Sequence, residues 1–201
     1  MEDKKDFLFR FIPLDKRKLL KLDEEAYYSV TDQYTADKIS KDIKKQFPYL
    51  RKITDATACI GGNTYSFSKY FEKVQAIELD QMKYRFLCEN MKTLGVANVT
   101  AYEGDLMLYV PALEQEMVFI DPPWGGPNYK DRKKIDLYLS DLELSDVCYY
   151  LRKYTDYISL KVPTNFNVEQ FEERTCSYLK PVYKNSELRK MNLLVYRTLV
   201  S

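Results

Sequence analysis

The sequence predicts an α/β fold of the Rossmann-like kind, a central, mostly parallel sheet with helices on both faces. Three observations predict it. From about residue 35 onward, short apolar strands alternate with amphipathic helices, a pattern that calls for parallel pairing and right-handed crossovers. A Gly61-Gly62 turn follows the first strand, and the acidic Glu78 closes the second. In such sheets ligands sit at the carboxyl ends of the strands, and the suggestive side chains fall there.

The elements follow in order. After an irregular basic start (Lys16, Arg17, Lys18, Lys21), Ala36, Ile39, Ile43 and Phe47 share one face at helical spacing, so a helix is expected from Thr35 to Phe47, ended by Pro48. Lys52–Thr57 reads as a strand, then the glycine turn and a short helix. Val74–Leu79 is a second strand, and Met82–Leu94 a helix closed by Gly95. Val99–Tyr102 and Met117–Ile120 are the third and fourth strands. A helix over Leu142–Tyr154 leads to a fifth strand, Tyr157–Val162. Val168–Arg174 is a short helix, and late strands lie at Tyr178–Tyr183 and Met191–Leu199.

Composition narrows the chemistry. The 201 residues, 45% of them hydrophobic, suit one compact domain with a substantial core. With 31 basic against 30 acidic residues the net charge is +1, so nucleic acid would have to be bound by local geometry rather than by global charge. There is no histidine, which excludes Ser-His-Asp and Cys-His hydrolases and histidine metal sites. Cys59, Cys88, Cys148 and Cys176 are scattered, with no C-x-x-C pair; reduced thiols fit better than disulfides or zinc. The charged start is no signal peptide, and no apolar run reaches the ~20 residues of a membrane span. A cytoplasmic or nuclear protein, neither secreted nor membrane-bound, is expected.

Four segments carry chemistry. In Asp55-Ala-Thr-Ala-Cys-Ile-Gly-Gly-Asn-Thr64, the strand runs into glycines that let a ligand approach the backbone; G-x-G-x-x-G is absent. In Ala76-Ile-Glu-Leu-Asp80, Glu78 stands roughly 20 residues after that turn, where an acidic residue accepts hydrogen bonds from ribose hydroxyls. Glu78 is read as an exposed strand tip whose removal costs little stability. Glu103-Gly104-Asp105 places a carboxylate where an adenine amino group can meet it. Asp121-Pro-Pro-Trp-Gly-Gly-Pro-Asn-Tyr129, with three prolines and two glycines in nine residues, can be neither helix nor strand. An exocyclic aryl amine is a poor nucleophile because its lone pair is delocalised. The Asp121 carboxylate and the Pro122 carbonyl can accept its two hydrogens and orient it, and Trp124 offers a stacking surface whose π face favours a cationic base.

Asp121–Tyr129 resembles the signature of the trimethylguanosine synthases, the cap-specific guanine-N2 methyltransferases. Lys21-Leu-Asp-Glu-Glu-Ala-Tyr-Tyr-Ser-Val-Thr31 resembles that family's KLD…WFSVT segment, TDATACIGGNT its DAFCGVGGNT loop, and AIELD its AIDID strand. The likeness runs from about Lys21 to Val162. It implies a class I methyltransferase using S-adenosyl-L-methionine, without a metal, on the 7-methylguanosine cap of RNA, and working as a monomer. Thr31, Asp55, Asn63, Thr64, Glu78 and Asp105 would line the cofactor pocket, joined by Gly61 and Leu79. Trp124 would stack on the base, Asp121 and Pro122 would hold its amine, and Tyr129 would reach the cap phosphates. Ser29, Pro123 and Asn128 complete the substrate set. Residues 1–34 would cover the cofactor, and 35–201 would form the methyltransferase domain.

The sequence departs from that pattern in places. Cys59 replaces the loop's first glycine, Asp121 stands where some members carry Ser, and Val162-Pro-Thr-Asn165 replaces an L-P-R-N whose Arg meets the triphosphate. Lys161, Arg132 or a lysine near the N-terminus would take the place of that Arg. The long N-terminal region of animal members is absent. Other readings are an amino-methyltransferase acting on guanine N2 or adenine N6 in rRNA, tRNA or DNA, and an inactive cap-binding module. A dehydrogenase is disfavoured by the missing dinucleotide fingerprint.

Overall fold

The computed structural model describes residues 2–188 and 190–199, the side chains of residues 2, 3 and 127 excepted; residues 200 and 201, at the end of the expected domain, lie outside it. The chain divides into two compact units, one running to Tyr109 and the other beginning at Val110.

In the first unit, the stretch read as irregular contains three short helices: α1 (Glu2–Leu8), α2 (Leu14–Leu19) and α3 (Ala26–Ser29). Leu8, Phe9, Ile12, Leu20, Ala26 and Val30 gather with Ile60 of the glycine loop into one buried cluster. These helices are too short to show a periodic stripe, so it is packing that stabilises them. Helix α4 (Gln33–Gln46) starts two residues before the expected Thr35, because Asp32 caps it by accepting from the Thr35 amide and, at 2.6 Å, from the Thr35 hydroxyl. It buries Ala36, Ile39 and Ile43 as the spacing requires.

Strand β1 (Lys52–Asp55), helix α5 (Gly62–Phe67), strand β2 (Lys73–Glu78), helix α6 (Gln81–Leu94), strand β3 (Val99–Glu103) and helix α7 (Leu106–Tyr109) complete this unit. Ile53 pairs with Val74 and Val74 with Val99 in parallel ladders. β1 ends two residues before the expected Thr57, since Ala56 and Thr57 already form the turn. Leu79 falls outside β2, at 62% exposure. Asp80 caps α6 by accepting from the Lys83 amide, and Gly95, at φ 73°, ends it.

In the second unit, strand β4 (Met117–Ile120) is buried throughout and leads into a 3-10 turn at Pro127–Asp131. Strands β5 (Tyr138–Leu139) and β6 (Leu142–Glu143) form a small hairpin around Ser140, which has a positive φ of 54°. That hairpin takes the first residues of the expected helix, so α8 spans Leu144–Leu151. Strand β7 (Tyr157–Pro163) runs parallel to β4, with Ile120 opposite Leu160. After helix α9 (Val168–Thr175), strands β8 (Leu179–Leu188) and β9 (Met191–Thr198) pair antiparallel, and β9 runs antiparallel to β7. The strand order is β3-β2-β1-β4-β7-β9-β8. This is the Rossmann-like, mostly parallel sheet of class I methyltransferases.

Gly62 fixes where the chain near Thr31 can lie. A Cβ there would sit 2.7 Å from the Thr31 carbonyl oxygen and 2.7 Å from a Val30 methyl. The first neighbour is backbone and cannot swing away. Gly62→Ala is therefore expected to cost about 1–3 kcal/mol by overpacking, seen as a lower urea midpoint at unchanged slope. An unchanged midpoint would mean that this approach is not tight in solution.

Candidate active site

The first unit brings together the residues read as cofactor-binding. The Glu78 carboxylate is half-buried, not an exposed tip. Its Oε2 accepts the Cys59 amide at 2.7 Å and its Oε1 accepts the Asp80 amide at 2.8 Å. Burial raises the Glu78 carboxyl above its ordinary value, while the amides of Asp80 and Cys59 pull it back. A carboxylate has roughly four acceptor sites, so two hydroxyls could still be received. Cys59 keeps the left-handed backbone (φ 50°) that a glycine would adopt freely, so its substitution leaves the turn intact at a local cost of about 1–2 kcal/mol. Its thiol is pushed up to about 11 by burial and lies 3.5 Å from the Ser29 hydroxyl.

Behind the loop, the pairs are internal. Thr64 Oγ1 donates to Asp55 Oδ2 at 2.7 Å, and both residues are 0% exposed. They join the end of β1 to α5, beneath the surface a ligand would touch. The Asn63 amide nitrogen donates to Thr31 Oγ1 at 3.0 Å, while its Oδ1 is buried without a partner. Asn90, which the sequence did not flag, ties the N-terminal segment to the loop: it accepts from the Lys21 amide and donates to the carbonyls of Lys21 and Ile60. Asp105 Oδ1 accepts the Met107 amide at 2.8 Å, and the Gly104 amide donates to the Glu78 carbonyl, linking the ends of β2 and β3. A cavity beside Gly61, lined by Phe9, Thr31 and Met91, has a volume of about 10 Å³, room for roughly one water. On the open side of the loop stand the half-buried Glu78 and the exposed Leu79.

The second unit carries the residues read as substrate-binding. Asp121 follows β4, and Lys161 lies opposite on β7, one step beyond the Ile120–Leu160 pair. Lys161 Nζ donates to Asp121 Oδ2 at 2.5 Å, with side chains 5% and 12% exposed. The same ammonium lies 5.0 Å from the centre of the Trp124 ring. One of the three Lys161 ammonium donors is thus used on Asp121. Pro122 is buried, Pro123 and Asn128 are exposed, and Tyr129 meets Trp124 edge-on at 5.2 Å between ring centres. Burial raises the Tyr129 hydroxyl above its ordinary value. The Trp124 Nε1 is buried with no partner. Gly125 and Gly126 have positive φ values (86° and 75°) with open space where a Cβ would go, so they serve the turn and not a close approach. Asn165 donates to the carbonyls of Tyr129 and Arg132, clamping the loop from the Val162–Asn165 segment.

Among the described residues, no group of three or more His, Cys, Asp or Glu could hold a metal, and no helix is long and apolar enough to cross a membrane.

The fold is that of a class I methyltransferase. The model of the family described as RNA cap guanine-N2 methyltransferase matches residues 50–196, and the chain belongs to that family. It is 33% identical over 150 residues to uncharacterized protein L320 of Acanthamoeba polyphaga mimivirus, covering 72% of this chain and 57% of that one. It is 29% identical over 172 residues to trimethylguanosine synthase of Schizosaccharomyces pombe, covering 82% and 71%. The chain thus spans little more than half the length of the viral relative. Among solved structures, a candidate RNA methyltransferase of Pyrococcus horikoshii shares the fold at a TM-score of 0.65 and 14% identity over all of both chains. The N-terminal domain of EvdMO1, solved with SAH bound, does so at 0.56 and 9%, over 89% of this chain and 85% of that one.

Because the Glu78 carboxylate receives two amides, Glu78→Ala strands both. In the absence of any ligand it should lose about 1–3 kcal/mol, read as a thermal midpoint several degrees lower. A midpoint equal to wild type would return Glu78 to the status of an idle strand tip.

Proposed function

We propose that this chain transfers a methyl group from S-adenosyl-L-methionine to the exocyclic N2 amine of a 7-methylguanosine RNA cap. The observation that carries this reading is the pairing of an anchored carboxylate, Asp121, with a lone indole, Trp124, on one loop after β4. Family membership and the trimethylguanosine synthase relatives support it.

The residues of the first unit fit the cofactor. Glu78 would receive ribose hydroxyls and Asp105 the adenine amino group. Leu79 would cover the adenine, Asn63 Oδ1 is a buried acceptor in want of a donor, and Gly61 keeps the loop backbone accessible. Asp55 and Thr64 hold the loop's two arms. The segment before residue 35 would cover the cofactor, held there by Asn90 and by the Ser29–Cys59 contact. When bound, the cofactor supplies an electrophilic methyl on a sulfonium.

The residues of the second unit present the acceptor. Trp124 stacks on the cationic 7-methylguanine, with Tyr129 at its edge and reaching toward the cap phosphates. Asp121 and the Pro122 carbonyl would accept the two amine hydrogens, leaving the nitrogen lone pair free to take the methyl. As the methyl–sulfur bond breaks and the N–C bond forms, leaving a neutral thioether, the amine would lose one of those hydrogens as a proton, and Asp121 would be the base to take it. Alignment supplies much of the rate, and no metal is called for.

Labelled cofactor incubated side by side with 7-methyl-GTP, GTP, capped RNA and uncapped RNA tests the reading. Methyl should reach 7-methyl-GTP and capped RNA; equal turnover of GTP would sink the cap-specific claim, and labelling of uncapped RNA would favour an internal base. Trp124→Ala should weaken 7-methyl-GTP by about 1–3 kcal/mol, roughly 5- to 150-fold in KM. Asp121→Ala should instead lower kcat at saturating acceptor. Loss of affinity alone in Asp121→Ala would make the loop a binding element.

A further inference from the structure

Lys161 is an expensive residue where it stands. Tyr157–Pro163 is buried from Ile158 onward, and an apolar side chain would cost nothing in desolvation there. Buried ion pairs are often no more stabilising than apolar residues of the same volume, so stability alone does not account for it. Its ammonium reaches two residues, Asp121 Oδ2 at 2.5 Å and the Trp124 ring at 5.0 Å, and these are the two given the base in the reading above. They sit three positions apart on a loop rich in proline and glycine, which Asn165 clamps at Tyr129 and Arg132.

We propose that Lys161 is a positioning residue that fixes the Asp121 carboxylate relative to the Trp124 ring, and so sets the distance between the surface that stacks the base and the acceptor that orients its amine. This rests on the reading of Asp121 and Trp124 given under Proposed function. The ammonium takes one of roughly four acceptor sites on the carboxylate and leaves the amine an acceptor of fixed direction. A stacked base then arrives with its exocyclic nitrogen already in register. Without Lys161, the base still stacks, but the carboxylate is no longer aimed. Lys161 acts through Asp121 and touches neither the cofactor nor the reacting atoms.

Steady-state kinetics with 7-methyl-GTP on wild type, Lys161→Met, Asp121→Asn and the double variant test this, with cofactor affinity followed by calorimetry. Lys161→Met should lower kcat about a hundredfold, the scale of a 1 Å misplacement, with KM and cofactor affinity changed far less. In the Asp121→Asn background the same substitution should change kcat by less than about threefold, because there is no carboxylate left to aim. Asp121→Asn keeps an amide oxygen to accept from the buried Lys161 ammonium, and the double variant holds neither charge, so this second comparison stands even if Lys161→Met alone does not fold. Trp124 is the chain's one tryptophan, so its emission should also shift in Lys161→Met. Full turnover in Lys161→Met, or an equal loss in both backgrounds, would overturn the role of Lys161 alone. A wild-type protein that methylates neither 7-methyl-GTP nor capped RNA would overturn the reading of the site, and this role with it.

Discussion

The loop ends of the first unit depend on one carboxylate, Glu78, each of whose oxygens already accepts a backbone amide. Glu78 receives the Cys59 amide and the Asp80 amide, one on each oxygen, and its own carbonyl receives Gly104. Those three bonds hold the ends of β1, β2 and β3 in one arrangement. The turn at Cys59 is left-handed, a conformation that a non-glycine residue keeps only when its surroundings insist. The Glu78 bond to its amide is part of that insistence. Asn90 extends the same arrangement to the N-terminal segment through Lys21 and Ile60.

The second unit repeats the principle with different partners. Asp121, like Glu78, is the acidic residue at the end of a parallel strand, and like Glu78 it is held by a neighbour on the next loop or strand. There the holder is a buried ammonium instead of two amides. A carboxylate locked by its protein surroundings loses little freedom when a substrate binds, so more of the interaction is available for alignment. The same reasoning explains why Asn165 matters: it clamps the far side of the loop through two carbonyls.

Much of this was legible in the sequence. Alternating strands and helices gave the sheet, and the Gly-Gly, Glu78 and Asp-Pro-Pro-Trp segments do fall at or just after strand ends. What escaped had a common cause. The helix at Glu2–Leu8 is too short for periodicity and packs through Leu8 into the cluster around Ile60, while Leu14–Leu19 buries no residue of its own and lies against α6. The Ser140 hairpin shortened the helix after it because a tight turn outweighed a helical pattern. Asn90 and Lys161 act through contacts 69 and 40 residues away along the chain, which no local pattern encodes. Lys161 does leave a trace, a single lysine inside the apolar Tyr157–Pro163 strand, but its partner Asp121 is out of reach of any local pattern. Glu78 was identified correctly as a strand-end carboxylate, yet its two amides were invisible.

The central claim is that the methyl goes to the exocyclic N2 of a 7-methylated guanine. The most direct measurement is to digest the product made from capped RNA to nucleosides and compare it by mass spectrometry and chromatography with authentic standards. The account predicts N2,7-dimethylguanosine, with or without the N2,N2,7-trimethyl form. A new methyl on adenine, on a ribose hydroxyl, or on an internal guanosine would contradict it.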